Sequence, residues 1–199
     1  MPLLNPIINS VPSESTIEQL SNHWLMNLLG PCRSWFYVPT KNEEKFLGYD
    51  ASLQEYKALA IQYKRLKPTL NVGSITIKMA QHHVLLSNFP QKSVPYVFYA
   101  FSKYQEYSEI QNIYTKGRGI KFCREMVFFD VHAISPKRKN TSISYSFLIN
   151  NGIATYNLFQ IAKYFTACTV GVRYQEVDSY QSDYDFRNST RVNLLVGKV

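Results

Sequence analysis

The chain has 199 residues, with 22 Lys and Arg against 14 Asp and Glu, for a formal net charge of +8. Hydrophobic residues make up 45% and aromatic residues 15%, which excludes a disordered chain and allows one domain, residues 1–199, to bury a core. The positive charge favours a polyanionic partner, nucleic acid ahead of an anionic membrane surface, and no 18-residue apolar run offers a membrane span.

Residues 1–12 hold three prolines and read as an extended N-terminal arm. The stretch MPLLNPIINSVPSE lacks a basic start and its apolar run is broken by Asn and Pro, so it is not expected to act as a signal peptide. A helix follows, with Ser13 or Ser15 as cap, Ser15-x-x-Glu18 as a capping box, and Gly30-Pro31 as its stop. Ile17, Leu20, Trp24, Leu25, Leu28 and Leu29 share one arc of that helix. Glu14 lies inside the arc and Glu18 at its edge.

SWFYV, residues 34–38, predicts a strand, and residues 39–45 a loop. From Phe46 to Lys67 the pattern predicts two strands joined by a tight turn. Period two puts Leu59, Ile61 and Tyr63 on one face, and Ala58, Ala60, Gln62 and Lys64 on the other. An amide and an ammonium roughly 7 Å apart on so apolar a strand require a reason.

SITIK, residues 74–78, predicts a short strand, and residues 79–89 a helix. Its adjacent His82 and His83 point about 100° apart and cannot both face one metal. One of them, or Gln81, is a candidate phosphate contact. VPYVFYAF, residues 94–101, reads as a buried central strand and residues 104–114 as a helix. In KGRGIKFCR, Lys116, Arg118, Lys121 and Arg124 surround two glycines, so this loop is either a phosphate contact or a solvated turn.

Residues 125–134 predict a strand with Asp130 and His132 on one face, a rival acid–base or metal pair with no further ligand at suitable spacing. Lys137, Arg138 and Lys139 after Pro136 form an exposed basic loop suited to a nucleic-acid backbone. SISYSFLI, residues 142–149, reads as an alternating strand, residues 150–152 as a turn and 155–168 as an amphipathic helix. A polar loop at 178–190 and a last strand at 191–199 complete the chain. Cys32, Cys123 and Cys168 stand far apart with no C-x-x-C pair, as expected of reduced thiols in a cytoplasmic protein.

Asp50, a hairpin, then Gln62-Tyr63-Lys64 resembles the core of the PD-(D/E)XK nuclease superfamily. In this chain Tyr49 stands where that family usually has Pro, and Gln62 where it usually has Glu. The resemblance implies an α/β fold, a restriction-endonuclease-like central mixed β-sheet flanked by α-helices. It implies Mg2+ or Mn2+ held by Asp50 and Gln62 with Glu14 or Glu18 of the first helix. Asp50, Gln62, Lys64 and Glu14 would then be catalytic, Lys64 orienting water or stabilising charge on the phosphate. Arg65, Lys67, His82, Lys116, Arg118, Lys121, Lys137, Arg138 and Lys139 are the candidate nucleic-acid contacts.

The function this implies is a metal-dependent nuclease acting on DNA ahead of RNA, alone, as a homodimer or within a larger defence or repair complex. A non-catalytic nucleic-acid-binding protein on the same scaffold and a protein-interaction module stay open as alternatives.

Overall fold

Ser13 starts the first helix: its Oγ accepts the Thr16 N–H at 3.1 Å. In this computed structural model, which describes residues 10–29, 35–54, 57–67, 73–92, 95–167 and 172–173, helix α1 runs over Glu14–Leu29. The helix therefore begins before Ser15 can cap it, and the expected Ser15–Glu18 box is not used. Ile17, Ser21, Leu25 and Leu29 recur every fourth residue and form its buried stripe.

Strand β1 (Trp35–Tyr37) pairs antiparallel with β2 (Ala51–Gln54), and β2 with β3 (Lys57–Tyr63). Between β1 and β2 the expected loop is instead helix α2 (Lys41–Leu47). Thr40 Oγ1 accepts the Glu43 N–H, Glu43 Oε2 accepts the Thr40 N–H at 2.8 Å, and Gly48 closes the helix at φ +82°. The chain then crosses through β4 (Ser74–Lys78) and helix α3 (Met79–Asn88) to β5 (Val97–Ser102), which runs parallel to β3. Helices α4 (Tyr107–Thr115) and α5 (Ile120–Glu125) precede β6 (Met126–Asp130), which pairs antiparallel with β5.

Strand β7 (Asn140–Ser144) pairs with β4 as a separate two-stranded sheet and leads into α6 (Tyr145–Asn150), and α7 (Leu158–Thr166) follows. The main sheet has the order β1-β2-β3-β5-β6, and a short strand β8 (Val172–Arg173) pairs with the start of β3. The protein is thus mixed α/β.

Three expectations change here. Residues 120–125 are helix rather than loop. Gly117 takes φ +63° in the preceding turn, and the Gly117 and Arg118 N–H groups donate to the Tyr114 and Ile113 carbonyls. Those donors close α4 instead of facing a phosphate. Strand β6 stops at Asp130, whose Oδ1 accepts the His132 N–H at 3.0 Å and caps a 3-10 turn at Val131–Ala133. Finally, the alternation of residues 142–149 breaks where Ser144 Oγ accepts the Phe147 N–H at 3.1 Å and starts α6. The expected arm residues 1–9, the segments 178–190 and 191–199, Cys32 and Cys168 lie outside the described residues, whereas Cys123 is buried.

The sheet has helices packed on one face, and α3 with the small sheet on the other. Leu59, Ile61 and Tyr63 of β3, with Phe98 and Phe128, pack against α1, α5 and α7. Ala60 joins Tyr99, Phe101 and Phe129 against Ile75, Leu85 and Ile143. The two faces of β3 are those its period-two pattern predicts. Among the described residues no helix is long and apolar enough to cross a membrane.

Candidate active site

The β2–β3 ladder continues one step past β2, where the Asp50 N–H donates to the Ile61 carbonyl at 3.0 Å. Asp50 is thereby placed opposite Gln62, and cross-strand neighbours share a face. Lys64, two residues beyond Gln62 at the carboxyl end of β3, points the same way. The structure so brings Asp50, Gln62 and Lys64 to one place.

They are joined through a fourth residue. The Lys64 Nζ donates to Gln81 Oε1 at 2.8 Å, the Gln81 Nε2 to Gln62 Oε1 at 2.5 Å, and the Gln62 Nε2 to Asp50 Oδ2 at 2.5 Å. An ammonium can only donate and a carboxylate can only accept, so the two ends fix the orientation of both amides between them. Turning either amide round would set two donors face to face. Such a chain polarises along its length. Asp50 Oδ2 also accepts the Tyr63 N–H at 2.5 Å.

Gln62 is 1% exposed and Lys64 7%, so this chain replaces the water both side chains lose. Burial pushes the Asp50 carboxyl up and the Lys64 ammonium down, while the charge of each partly restores the other.

Tyr63, between Gln62 and Lys64, faces the opposite side. Its hydroxyl reaches α1, 3.0 Å from Ser21 Oγ and 2.8 Å from Asn22 Oδ1. That contact sets α1 against the end of β3 and brings two helix carboxylates to the site. Glu14 Oε1 accepts the Arg65 N–H at 3.0 Å. Glu18 is half-buried, and its carboxyl is pushed up to about 7 by burial first, then by Glu44 and Glu14. By helical periodicity Glu14 is the more inward of the two. The structure reverses the order, because Glu14 occupies the first helical position and is exposed.

Glu44 of α2 is a site neighbour that the sequence reading misses, because it expects loop there. Its charge raises both Glu18 and Asp50. The T-x-x-E signature at Thr40–Glu43 is the signal that marks this helix. Gln81 stands in the sequence only as a candidate phosphate contact, since its role depends on where α3 packs.

The donor set suits a hard divalent cation in its chemistry: carboxylate oxygens in net excess over one ammonium, two of them with raised affinity for a proton. Its assembly is open. Among the described residues no three His, Cys, Asp or Glu side chains gather closely enough to hold a metal ion together, and Gln62 turns its nitrogen, not its oxygen, toward Asp50.

Arg65 and Lys67 are exposed on either side of buried Leu66, bordering the site. Lys137, Arg138 and Lys139 are exposed in the loop before β7, and the Lys139 carbonyl accepts the Met79 N–H at the start of α3. Lys116, Arg118 and Lys121 are exposed around the α4–α5 turn, beside Trp24 of α1. His82 does not face a ligand. It is 2% exposed and 3.1 Å from the Tyr99 hydroxyl, and burial pushes its imidazole below the usual range. The rival pair is structural too: His132 Nδ1 lies 3.0 Å from Asp130 Oδ1 and Nε2 lies 2.8 Å from the Phe89 carbonyl, which occupies both ring nitrogens.

Comparison with known proteins returns no match among protein-family models, curated proteins or solved structures.

Proposed function

We propose that this protein is a divalent-metal-dependent nuclease acting on DNA, with a restriction-endonuclease-like sheet at its centre. The observation that carries the reading is the convergence of Asp50, Gln62 and Lys64 at the carboxyl end of β3, beside the carboxylates of α1. The resemblance to the PD-(D/E)XK superfamily, read from the same three residues, supports it. So does the crossover through α3 into a parallel neighbour of β3, since ligands in α/β sheets gather at such strand ends.

Asp50 would hold Mg2+ or Mn2+ with Glu18 and Glu14, and Gln62 once its amide turns from Gln81. The metal would supply an activated water and neutralise charge on the phosphate. Lys64 supplies an ammonium next to Asp50 and Gln62, a point charge for the phosphate oxygens. Gln81 holds Lys64 in place, and Arg65, Lys67 and the 137–139 loop offer cations to the flanking phosphates.

The test is cleavage of linear and supercoiled DNA by the purified protein with Mg2+ or Mn2+. Asp50→Asn and Lys64→Met should each lower the rate by at least about a hundredfold while the circular dichroism spectrum stays unchanged. A wild-type protein that cuts neither DNA nor RNA with either metal overturns the reading. A second reading, a non-catalytic nucleic-acid-binding protein, is favoured by one observation, the amide of Gln62 engaged at both ends. Salt-dependent DNA binding that survives Asp50→Asn, without cleavage by the wild type, selects it.

A further inference from the structure

A cavity of about 310 Å³ lies between the 3-10 turn, β7 and α6, and neither Asp50 nor Lys64 lines it. Ile134 and Ile143, 8% and 2% exposed, form its floor, and Phe147, 44% exposed, stands at its edge. Thr141 and Asn151 supply its polar lining. Asn151 is held in place by its Nδ2, which donates to the Phe147 carbonyl at 2.8 Å, and among the described residues its Oδ1 has no partner. Thr141 Oγ1 donates to the Arg138 carbonyl and ties the adjoining loop to the cavity wall.

That loop supplies the charge. It leaves the cavity at Pro136 and returns at Thr141, both lining residues, so Lys137, Arg138 and Lys139 are confined to the mouth. All three are exposed, and no ion pair among the described residues involves them. The volume is at the small end of ligand pockets, which run from about 300 to 1,000 Å³. A small planar apolar group with an anionic attachment fits this combination of an exposed aromatic edge, an amide acceptor and three cations.

We propose that this cavity takes a single unpaired nucleobase of a DNA strand, stacked on Phe147, with the strand's phosphates on Lys137, Arg138 and Lys139. Stacking of an unpaired base on an aromatic side chain beside a cationic track is how single strands are held without strong sequence preference. The same loop adjoins the candidate active site, because the Lys139 carbonyl accepts the Met79 N–H at 3.0 Å, two residues before Gln81. A strand cut at Asp50 would thus have a neighbouring base splayed into the cavity. The inference rests on the nucleic-acid reading but not on catalysis, since no residue of the cavity belongs to the Asp50–Lys64 chain.

The test uses the full-length protein in EDTA with fluorescein-labelled single-stranded octanucleotides, either intact or carrying one abasic position moved along the strand. One abasic position should weaken binding roughly five- to a hundredfold, Phe147→Ala should erase that difference, and Phe147→Trp should keep it. Replacing Lys137, Arg138 and Lys139 together with Ala should weaken both oligonucleotides and flatten the salt dependence by about 0.7 for each phosphate no longer neutralised.

An abasic penalty that is absent, or that persists in Phe147→Ala, overturns the cavity proposal. If the wild type still cleaves DNA in that case, the nuclease reading stands alone. Failure to bind either oligonucleotide overturns the cavity proposal, and joined with failure to cleave it removes both. A poly-glutamate peptide that displaces the intact octanucleotide but binds Phe147→Ala less tightly would reassign the cavity to an acidic protein partner and overturn it as well.

Discussion

Glu18 sits half-buried on α1, and burial with repulsion from Glu44 and Glu14 pushes its carboxyl up to about 7. The folded chain therefore holds this proton more tightly than the unfolded chain, whose carboxyl titrates near its ordinary value. Its contribution to stability is fully present below about pH 4 and is lost as pH rises through about 7. Glu18→Gln should then raise stability at pH 8 by about 1 kcal/mol, because solvent still screens a half-exposed carboxylate. The gap to the wild type should close by pH 5. Thermal melts across that range decide it, and equal melting temperatures at pH 8 would remove Glu18 from the charged cluster. A divalent cation at the site predicts more: Mn2+ should raise the wild-type melting temperature further at pH 8 than at pH 6, and less so in Glu18→Gln.

Gln81 allows a sharper test. It is the only hydrogen-bond partner of the Lys64 ammonium among the described residues, and an unpaired buried cation costs several kcal/mol. Gln81→Leu should destabilise by about 2 to 4 kcal/mol, whereas Lys64→Met in the same chain should recover most of that, giving a coupling of at least about 1 kcal/mol. Denaturant unfolding of the four members of the cycle measures it. Additive effects would mean the amide chain does not hold Lys64.

Among the elements, α2 shows what the sequence makes legible and what it hides. The strand pair around Asp50 and Lys64 is readable because the two faces of β3 differ sharply, Leu59, Ile61 and Tyr63 against Ala60 and Gln62. Helix α2 has no buried residue, so it leaves no apolar period to find, and only its end signals at Thr40, Glu43 and Gly48 mark it. Likewise α6 hides inside an alternating run that one serine cap redirects. Which helix residues reach the site is beyond the sequence, since the Tyr63–Ser21 contact joins positions 42 apart. If α2 holds Glu44 in place through its cap, Thr40→Ala should cost about 1 kcal/mol. It should also bring the Glu18 titration down toward the ordinary carboxyl range, as followed by carbon-13 NMR of the labelled carboxyl. A Glu18 titration that does not move would place Glu44 at the site by contacts other than the α2 cap.

Over the whole molecule, two clusters of exposed cations among the described residues reach different distances. Lys137, Arg138 and Lys139 adjoin the start of α3, where Gln81 stands. Lys116, Arg118 and Lys121 surround the turn whose Gly119 packs against Trp24 of α1. Trp24 lies ten residues along α1 from Glu14, about 15 Å at 1.5 Å per residue. On duplex DNA, rising about 3.4 Å per base pair, that offset is roughly four to five base pairs. The two groups should then separate by substrate length. Neutralising Lys116, Arg118 and Lys121 should weaken binding to a duplex of about 24 base pairs, with a salt slope smaller by about 0.9 for each phosphate no longer neutralised, and leave a duplex of about six base pairs unaffected. Neutralising the 137–139 loop should weaken both lengths alike, because its contacts lie next to the site. Fluorescence anisotropy against salt, with both duplexes and both variants, reads this directly. Equal losses for the two variants at both lengths would mean the cations act only through the overall charge of +8 and not as a track leading to Asp50.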